Sequence, residues 1–224
     1  MVWVIPMDVK ILIVDDHDLV RMCLSRILDD VEGFRVIGEA NTGESALKTA
    51  LEIFPDIILM DIKMPGIGGI EATRRLTAVD KHAKVIAVTA CEDELYPVRL
   101  IQAGAAAYLT KKTPPSELIK AVKAVVAGKC YVSREIAQKL AFKSAGLNPR
   151  QGSPFESLSD RELQVAIMVV SGEKVSVIAE KLSVSSKTIN SYRYRIFDKF
   201  NISSDVELVH LAIRHELFGI DTPD

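Results

Sequence analysis

Between residues 9 and 127 short apolar runs alternate with amphipathic stretches. The runs predict strands at 10–14, 35–39, 57–60, 85–88 and 107–109, and the i, i+3, i+4 spacing between them predicts helices at 19–30, 44–53, 67–78, 95–103 and 115–127. Gly33, Gly104 and Gly128 fall where helices should stop, since glycine accepts the left-handed conformation of a helix end. Pro55 bars helix continuation into the third strand. Strand–helix alternation of this kind predicts an α/β unit with a parallel sheet covered on both faces.

Beyond residue 128 the strand signal disappears. A short helix is predicted at 133–142, followed by Ser144-Ala145-Gly146-Leu147-Asn148-Pro149-Arg150-Gln151-Gly152-Ser153-Pro154, which has linker composition. Four helices follow. The first opens at Ser159 with Glu162 three residues on, a capping-box pattern flanked by Leu158 and Leu163 as a hydrophobic staple, and stops at Gly172. The second fits 175–182, and Ser183-Val184-Ser185-Ser186 is a turn. The third fits 187–200, with Ile189, Ile196 and Phe200 expected to bury, and the fourth runs from Ser204 to near Phe218. The expected domains are 7–128, a linker at 129–154 and an all-α domain at 155–219.

The 224 residues, 48% hydrophobic and 26% charged, suit two modest domains and exclude a disordered chain. The longest apolar runs are too short to span a bilayer. No signal peptide is expected, because the opening Met1-Val2-Trp3-Val4-Ile5-Pro6 lacks a basic start, and Met7 is an alternative start. Cys23, Cys91 and Cys130 form neither a metal motif nor a disulfide framework, which favours the cytoplasm. The net charge of −2 hides its distribution: residues 1–128 carry 15 basic and 18 acidic side chains, 129–153 carry 5 and 1, and 154–224 carry 8 and 11. Within the last region Lys187, Arg193, Arg195 and Lys199 face only Asp198, a local basic face that can serve DNA inside an acidic domain.

In open parallel sheets ligands bind outside the carboxyl ends of the strands. Asp15 and Asp16 end the first predicted strand, Asp61 the third and Thr89 the fourth, and the fifth leads to Lys111. One such residue alone reads as a solvated turn, but five at successive strand ends do not. Clustered carboxylates call for a hard cation, and magnesium suits oxygen ligands. A carboxylate can act as nucleophile and form an aspartyl phosphate, with a lysine and a hydroxyl stabilising the phosphoryl oxygens.

The motifs Ile11-Leu12-Ile13-Val14-Asp15-Asp16-His17, Met60-Asp61-Ile62-Lys63-Met64-Pro65-Gly66, Val88-Thr89-Ala90 and Gly104-Ala105-Ala106-Ala107-Tyr108-Leu109-Thr110-Lys111 resemble the receiver domain of two-component response regulators over about residues 8–127. The resemblance implies a five-stranded sheet in the flavodoxin-like order 2-1-3-4-5, with Asp61 as phosphoacceptor. It implies magnesium bound directly by Asp16 and Asp61, assisted by Asp15 through water, with the main-chain carbonyl of Lys63 as a further ligand. Thr89 and Lys111 are then the phosphoryl partners and Tyr108 the aromatic switch. Most receivers place proline directly after the lysine; here Lys112 follows and Pro114 comes later.

The third C-terminal helix presents Lys187, Asn190, Ser191, Tyr194 and Arg195 away from its apolar side, groups able to read base edges or grip phosphates. A helix and tight turn precede it, as in a helix-turn-helix. Leu158-Ser159-x-Arg161-Glu162, Ile178-Ala179-x-x-Leu182 and Lys187-Thr188-Ile189-Asn190-Ser191-Tyr192-Arg193 resemble the NarL/FixJ-type domain over about 155–217. Two departures are Lys174-Val175-Ser176-Val177 before Ile178, and Asn190 and Tyr192 where many members have Lys and His. Asn-Ser-Tyr-Arg-Tyr-Arg and the stretch 205–215 are similar to the GacA/UvrY branch.

That resemblance implies a phosphorylation-dependent DNA-binding transcription regulator paired with a hybrid sensor histidine kinase, activating genes for small RNAs that titrate an RNA-binding repressor. DNA contacts are expected from Lys187, Thr188, Asn190, Ser191, Arg193, Tyr194 and Arg195, with Asn190 bidentate to adenine and the cations on phosphates. A homodimer is expected through Val206, Val209, Ile213 and Leu217, which recur at helical spacing. An aspartyl-phosphate phosphatase is disfavoured, since such enzymes place a second carboxylate two residues after the nucleophile and Lys63 stands there. A receiver-type interaction module that never binds DNA is the remaining alternative.

Overall fold

The computed structural model describes residues 8–80, 82–89, 95–133, 137, 138, 141 and 154–215. The expected linker helix and loop fall mostly outside these residues, as do Met1, Met7, Leu217 and the end of the last predicted helix. The chain divides into two compact units, one built mainly from residues up to Lys139 and one mainly from Leu140 onward.

The first unit is a five-stranded parallel sheet in the order β2-β1-β3-β4-β5, with β1 Val9–Val14, β2 Phe34–Ala40, β3 Ile57–Met60, β4 Lys84–Thr89 and β5 Ala107–Thr110. The helices are α1 Asp18–Asp29, α2 Gly43–Ile53, α3 Gly68–Val79, α4 Leu95–Gln102 and α5 Pro115–Val126. Ile11 to Val14 and Ile57 to Met60 are buried throughout, as expected for central strands covered on both faces. Alternate residues serve opposite layers. Ile11, Ile13 and Leu59 pack with Leu28 of α1 and Leu118, Val122 and Val125 of α5. Leu12, Val14, Ile58 and Met60 pack with Ala46 and Ala50 of α2 and Leu76 of α3. With both faces apolar, polar chemistry is confined to the strand ends.

Local signals set the helix ends. Thr42 and Ser45 form a capping box at α2. Gly104, after α4, has φ +102°, and a Cβ there would lie 2.6 Å from the Thr77 hydroxyl that donates to the Ala103 carbonyl. After α5 the chain returns to the sheet: the Tyr131 N–H donates to the Ala106 carbonyl at 2.9 Å, and the Tyr108 N–H to the Tyr131 carbonyl at 3.3 Å.

The second unit holds a 3-10 turn at Pro154–Ser157 and helices α6 Asp160–Val170, α7 Val175–Lys181, α8 Ser186–Phe200 and α9 Asp205–Arg214. The expected capping box forms: the Glu162 N–H donates to Ser159 Oγ, and Glu162 Oε2 accepts from the Ser159 N–H at 2.8 Å. Leu158 and Leu163 are both buried. One expectation fails. Phe200 is only half-buried, standing edge-on to Phe155 with ring centroids 5.0 Å apart, and Phe197 is buried beside Ile189 and Ile196. At 3.6 residues per turn the buried face drifts, so the position eight after Ile189 shares it with the position seven after.

The tightest packing beneath the strand ends is at Gly69, where a Cβ would lie 1.9 Å from the Asp61 carbonyl oxygen. The Gly69 N–H also donates to the Ile62 carbonyl at 3.0 Å. Gly69→Ala is expected to force β3 and α3 apart and destabilise the first unit by about 1–3 kcal/mol. Urea unfolding checks this; an unchanged midpoint would contradict the close approach.

Candidate functional site

The main chain brings the strand ends to one edge. The Asp61 N–H donates to the Val14 carbonyl at 2.8 Å, the Asp15 N–H to the Ala40 carbonyl at 3.1 Å, and the Lys111 N–H to the Thr89 carbonyl at 2.7 Å. Lys111 reaches back from beyond β5, and its Nζ lies 2.6 Å from Asp15 Oδ2 and 2.8 Å from Asp61 Oδ2. Asp15 and Asp61 are buried, at 1% and 3% exposure. Asp61 Oδ1 accepts from the Ile62 N–H at 2.6 Å, so both of its oxygens are held.

Burial pushes the Asp61 carboxyl above its ordinary range, with Lys111 opposing the rise and the Asp15 charge adding to it. Burial works against the Lys111 ammonium as well, but the two carboxylates outweigh it and hold Lys111 above its usual value.

Asp15, Asp16, His17 and Asp61 each offer a ligand atom within 4.8 Å of the others. Asp16 Oδ1 is shut off from solvent and receives no hydrogen bond; His17 Nδ1 lies 2.8 Å away, outside hydrogen-bonding geometry. An under-satisfied carboxylate oxygen beside two further carboxylates is a donor set for a hard cation. Thr89 is fully buried at the end of β4. Tyr108 of β5, opposite Ala87 of β4, is half-buried. The Lys63 side chain is exposed on the loop after β3. Lys112 leaves the loop beyond Lys111 orderly: Thr113 Oγ1 accepts from the Thr110 N–H at 3.1 Å, and Pro115 opens α5.

Two supports were not anticipated from the sequence. Arg21 of α1 donates through Nη1 to the Asp15 carbonyl at 2.8 Å and through Nε to Glu39 Oε2 at 3.0 Å, and it also pairs with Asp18. It thus ties the turn carrying Asp15 and Asp16 to α1 and β2. The Asp18–Arg21 spacing of three on a helix was the available signal. Glu44 of α2 accepts from the Ile67 N–H at 3.0 Å, fixing the loop after Asp61 from the side. That contact spans 23 residues and has no local signature.

In the second unit α7, the turn and α8 form a helix-turn-helix. Arg161 of α6 donates to the Leu182 carbonyl at 2.9 Å at the turn. Lys199 joins Glu162 Oε2 at 2.7 Å and the Ser157 carbonyl at 3.0 Å, pinning α8 to the start of α6. Burial raises the Glu162 carboxyl, but Lys199 and the Ser159 N–H and hydroxyl together draw it below its ordinary value. Ser185 caps α8 by accepting from the Thr188 N–H, and its hydroxyl meets the Thr188 hydroxyl at 2.8 Å.

Of the expected DNA contacts, Lys187, Ser191, Tyr194 and Arg195 are exposed on one helix. Thr188 and Asn190 are half-buried. Arg193, expected on phosphate, is folded onto Asp205 and Asn190. On α9, Leu208 and Ala212 fill the core, while Val206 and Ile213 are 65% and 51% exposed and Val209 is half-buried.

Comparison with known proteins agrees with this geometry. The family model of the response regulator receiver domain matches residues 11–123, and that of bacterial regulatory proteins of the luxR family matches residues 156–212. The response regulator GacA of Pseudomonas protegens is 53% identical over 207 residues, covering 92% of this chain and 96% of that protein. The response regulator UvrY of Escherichia coli is 46% identical over 215 residues, covering 96% and 98%. Among solved structures, a LuxR-family two-component response regulator from Aurantimonas is 36% identical with a TM-score of 0.56, covering 62% of this chain and 99% of that one. Promoter-bound RcsB of Salmonella enterica shares the fold at 23% identity and TM-score 0.62, covering 91% and 98%.

The raised Asp61 carboxyl has a consequence for stability. A carboxyl whose folded pKa exceeds its unfolded value stabilises the fold at low pH and loses that contribution as pH rises through the folded value. Asparagine resembles the neutral acid, so Asp61→Asn is expected to raise the melting temperature at neutral pH. The gain should shrink as pH falls into the carboxylate range. Thermal melts across pH check this, and a destabilised Asn variant at pH 7 would contradict the burial argument.

Proposed function

Since the chain belongs to the two-component response regulators with a LuxR-type DNA-binding domain, we propose that Asp61 accepts a phosphoryl group from a sensor histidine kinase or a small phosphodonor and that this modification controls DNA binding. The observation that carries the proposal is the pair of buried carboxylates, Asp15 and Asp61, gathered on one ammonium at the strand ends. The domains are taken as a receiver at 7–128, a linker at 129–154 and the DNA-binding domain at 155–219.

An Asp61 oxygen forms the new bond to phosphorus as the donor's bond to phosphorus breaks, and the leaving group keeps the electron pair. Lys111 already lies on the nucleophile and is placed to neutralise phosphoryl oxygen charge. Asp16, Asp61 and the Lys63 carbonyl would hold magnesium, with Asp15 assisting; when bound, the cation offsets negative charge on both reactants. The Thr89 hydroxyl then turns toward the phosphoryl group, and Tyr108 moves into the space released, biasing a two-state element.

The output is binding of promoter DNA by α8, in the cytoplasm. Val206, Val209, Ile213 and Leu217 pair two copies on inverted half-sites. The exposure of Val206 and Ile213, seven residues apart on one face of α9, supports this surface. The receiver domain supports a sensor histidine kinase as partner, and we propose that it is of the hybrid kind. Lys63, two residues after Asp61, offers no second carboxylate for phosphatase turnover.

With acetyl phosphate and magnesium, the full chain is expected to gain one phosphoryl mass, and chelation of magnesium should abolish the gain. Asp61→Asn should gain none. Thr89→Ala should gain the mass yet lose the phosphate-dependent dimer seen by sedimentation. A full mass gain on the Asn variant would overturn the assignment of Asp61.

A further inference from the structure

The recognition helix α8 carries an asparagine whose carbonyl is already engaged. Arg193 Nη1 donates to Asn190 Oδ1 at 2.8 Å, one helical turn away. Guanidinium has donors and no acceptor, so chemistry fixes which end of the amide faces Arg193. Arg193 is itself held. Its Nε donates to Asp205 Oδ1 at 3.0 Å, its Nη2 pairs with Asp205 Oδ2, and its guanidinium carbon lies 5.7 Å from the Phe197 ring centroid. Asp205 opens α9, so the orientation of a base-facing amide on α8 is set from the next helix.

Bidentate recognition of adenine needs the asparagine carbonyl to accept from the exocyclic amine while the amide donates to N7. Here one lone pair of Oδ1 is taken, and a second donor approaching that oxygen would meet the guanidinium charge. The Nδ2 group keeps its donors, and the neighbouring cation favours acceptors. Guanine is the base whose major-groove edge presents two of them, N7 and O6.

We infer that Arg193 sets Asn190 as a donor-only reader that selects guanine over adenine in the major groove. Arg193 is a positioning residue acting through Asn190, not a phosphate contact. The inference rests on the DNA-binding role proposed above and goes beyond it in naming the base and the residue pair that chooses it.

The test starts from duplexes selected by the full chain from a randomised pool, titrated against wild type and Asn190→Ala. One half-site position is expected to depend on Asn190 and to carry guanine. Replacing that guanine with 7-deazaguanine should weaken wild-type binding about five-fold and leave Asn190→Ala little changed. Arg193→Met frees the carbonyl and should move the preference toward adenine; should this variant fold poorly, the analogue titration with Asn190→Ala still decides. Adenine at the dependent position, with affinity lost when its exocyclic amine is removed, overturns the inference. So does a wild-type consensus in which no position depends on Asn190, while leaving DNA reading intact. Failure of the wild type to enrich any sequence overturns the DNA-reading role itself, and the inference with it.

Discussion

Two buried carboxylates share one ammonium at the strand ends of the receiver unit, and the loops around them are built to permit it. Without Lys111, Asp15 and Asp61 would face each other as buried like charges; leaving such a group unpaired typically costs about 3–5 kcal/mol. The contact exists only because β1, β3 and β5 end at the same edge of one sheet and the Lys111 side chain, just beyond β5, reaches across to the ends of β1 and β3. The apolar layers on both faces of the sheet enforce this. No charged side chain can be placed inside Ile11–Val14 or Ile57–Met60 without breaking a core layer, so charge collects where the strands stop. Arg21, Glu44 and Gly69 then fix the two loops that carry the acids, one from each side and one from below.

The same economy of charge shapes the DNA-binding unit. Small helical domains bury little apolar area, and here charged contacts bridge the helices around that core. Lys199 closes on the capping box of α6, Arg161 grips the carbonyl at the turn, and Arg193 joins α8 to the first residue of α9. Of the basic face legible in the sequence, Arg193 and Lys199 thus serve the fold, while Lys187 and Arg195 remain exposed.

Much of this was legible in the residues. The apolar runs placed each strand to within a residue or so, because central parallel strands must be apolar on both faces, and Asp15, Asp16, Asp61, Thr89 and Lys111 stood at their ends. Ser159 and Glu162 announced their cap because both partners are local. What was not legible was non-local. Arg21 reaching Glu39, Glu44 holding Ile67, and Lys199 closing on Glu162 depend on packing that no window of sequence contains. The Arg193–Asp205 pair has no local signature either, since Asp205 lies 12 residues on, beyond the end of the helix that carries Arg193. Phe197 and Phe200 were exchanged because neighbouring positions on a drifting apolar face cannot be ranked by spacing alone.

On the function proposed here, a phosphoryl group on Asp61 raises the affinity of α8 for DNA. Fluorescence anisotropy of the full chain on a selected duplex, with magnesium, before and after acetyl phosphate treatment, tests it most directly. Tighter binding after treatment in the wild type, and none of that gain in Asp61→Asn, is the predicted result. Equal affinity with and without the phosphoryl group, in a wild-type sample whose mass shows full modification, would contradict it.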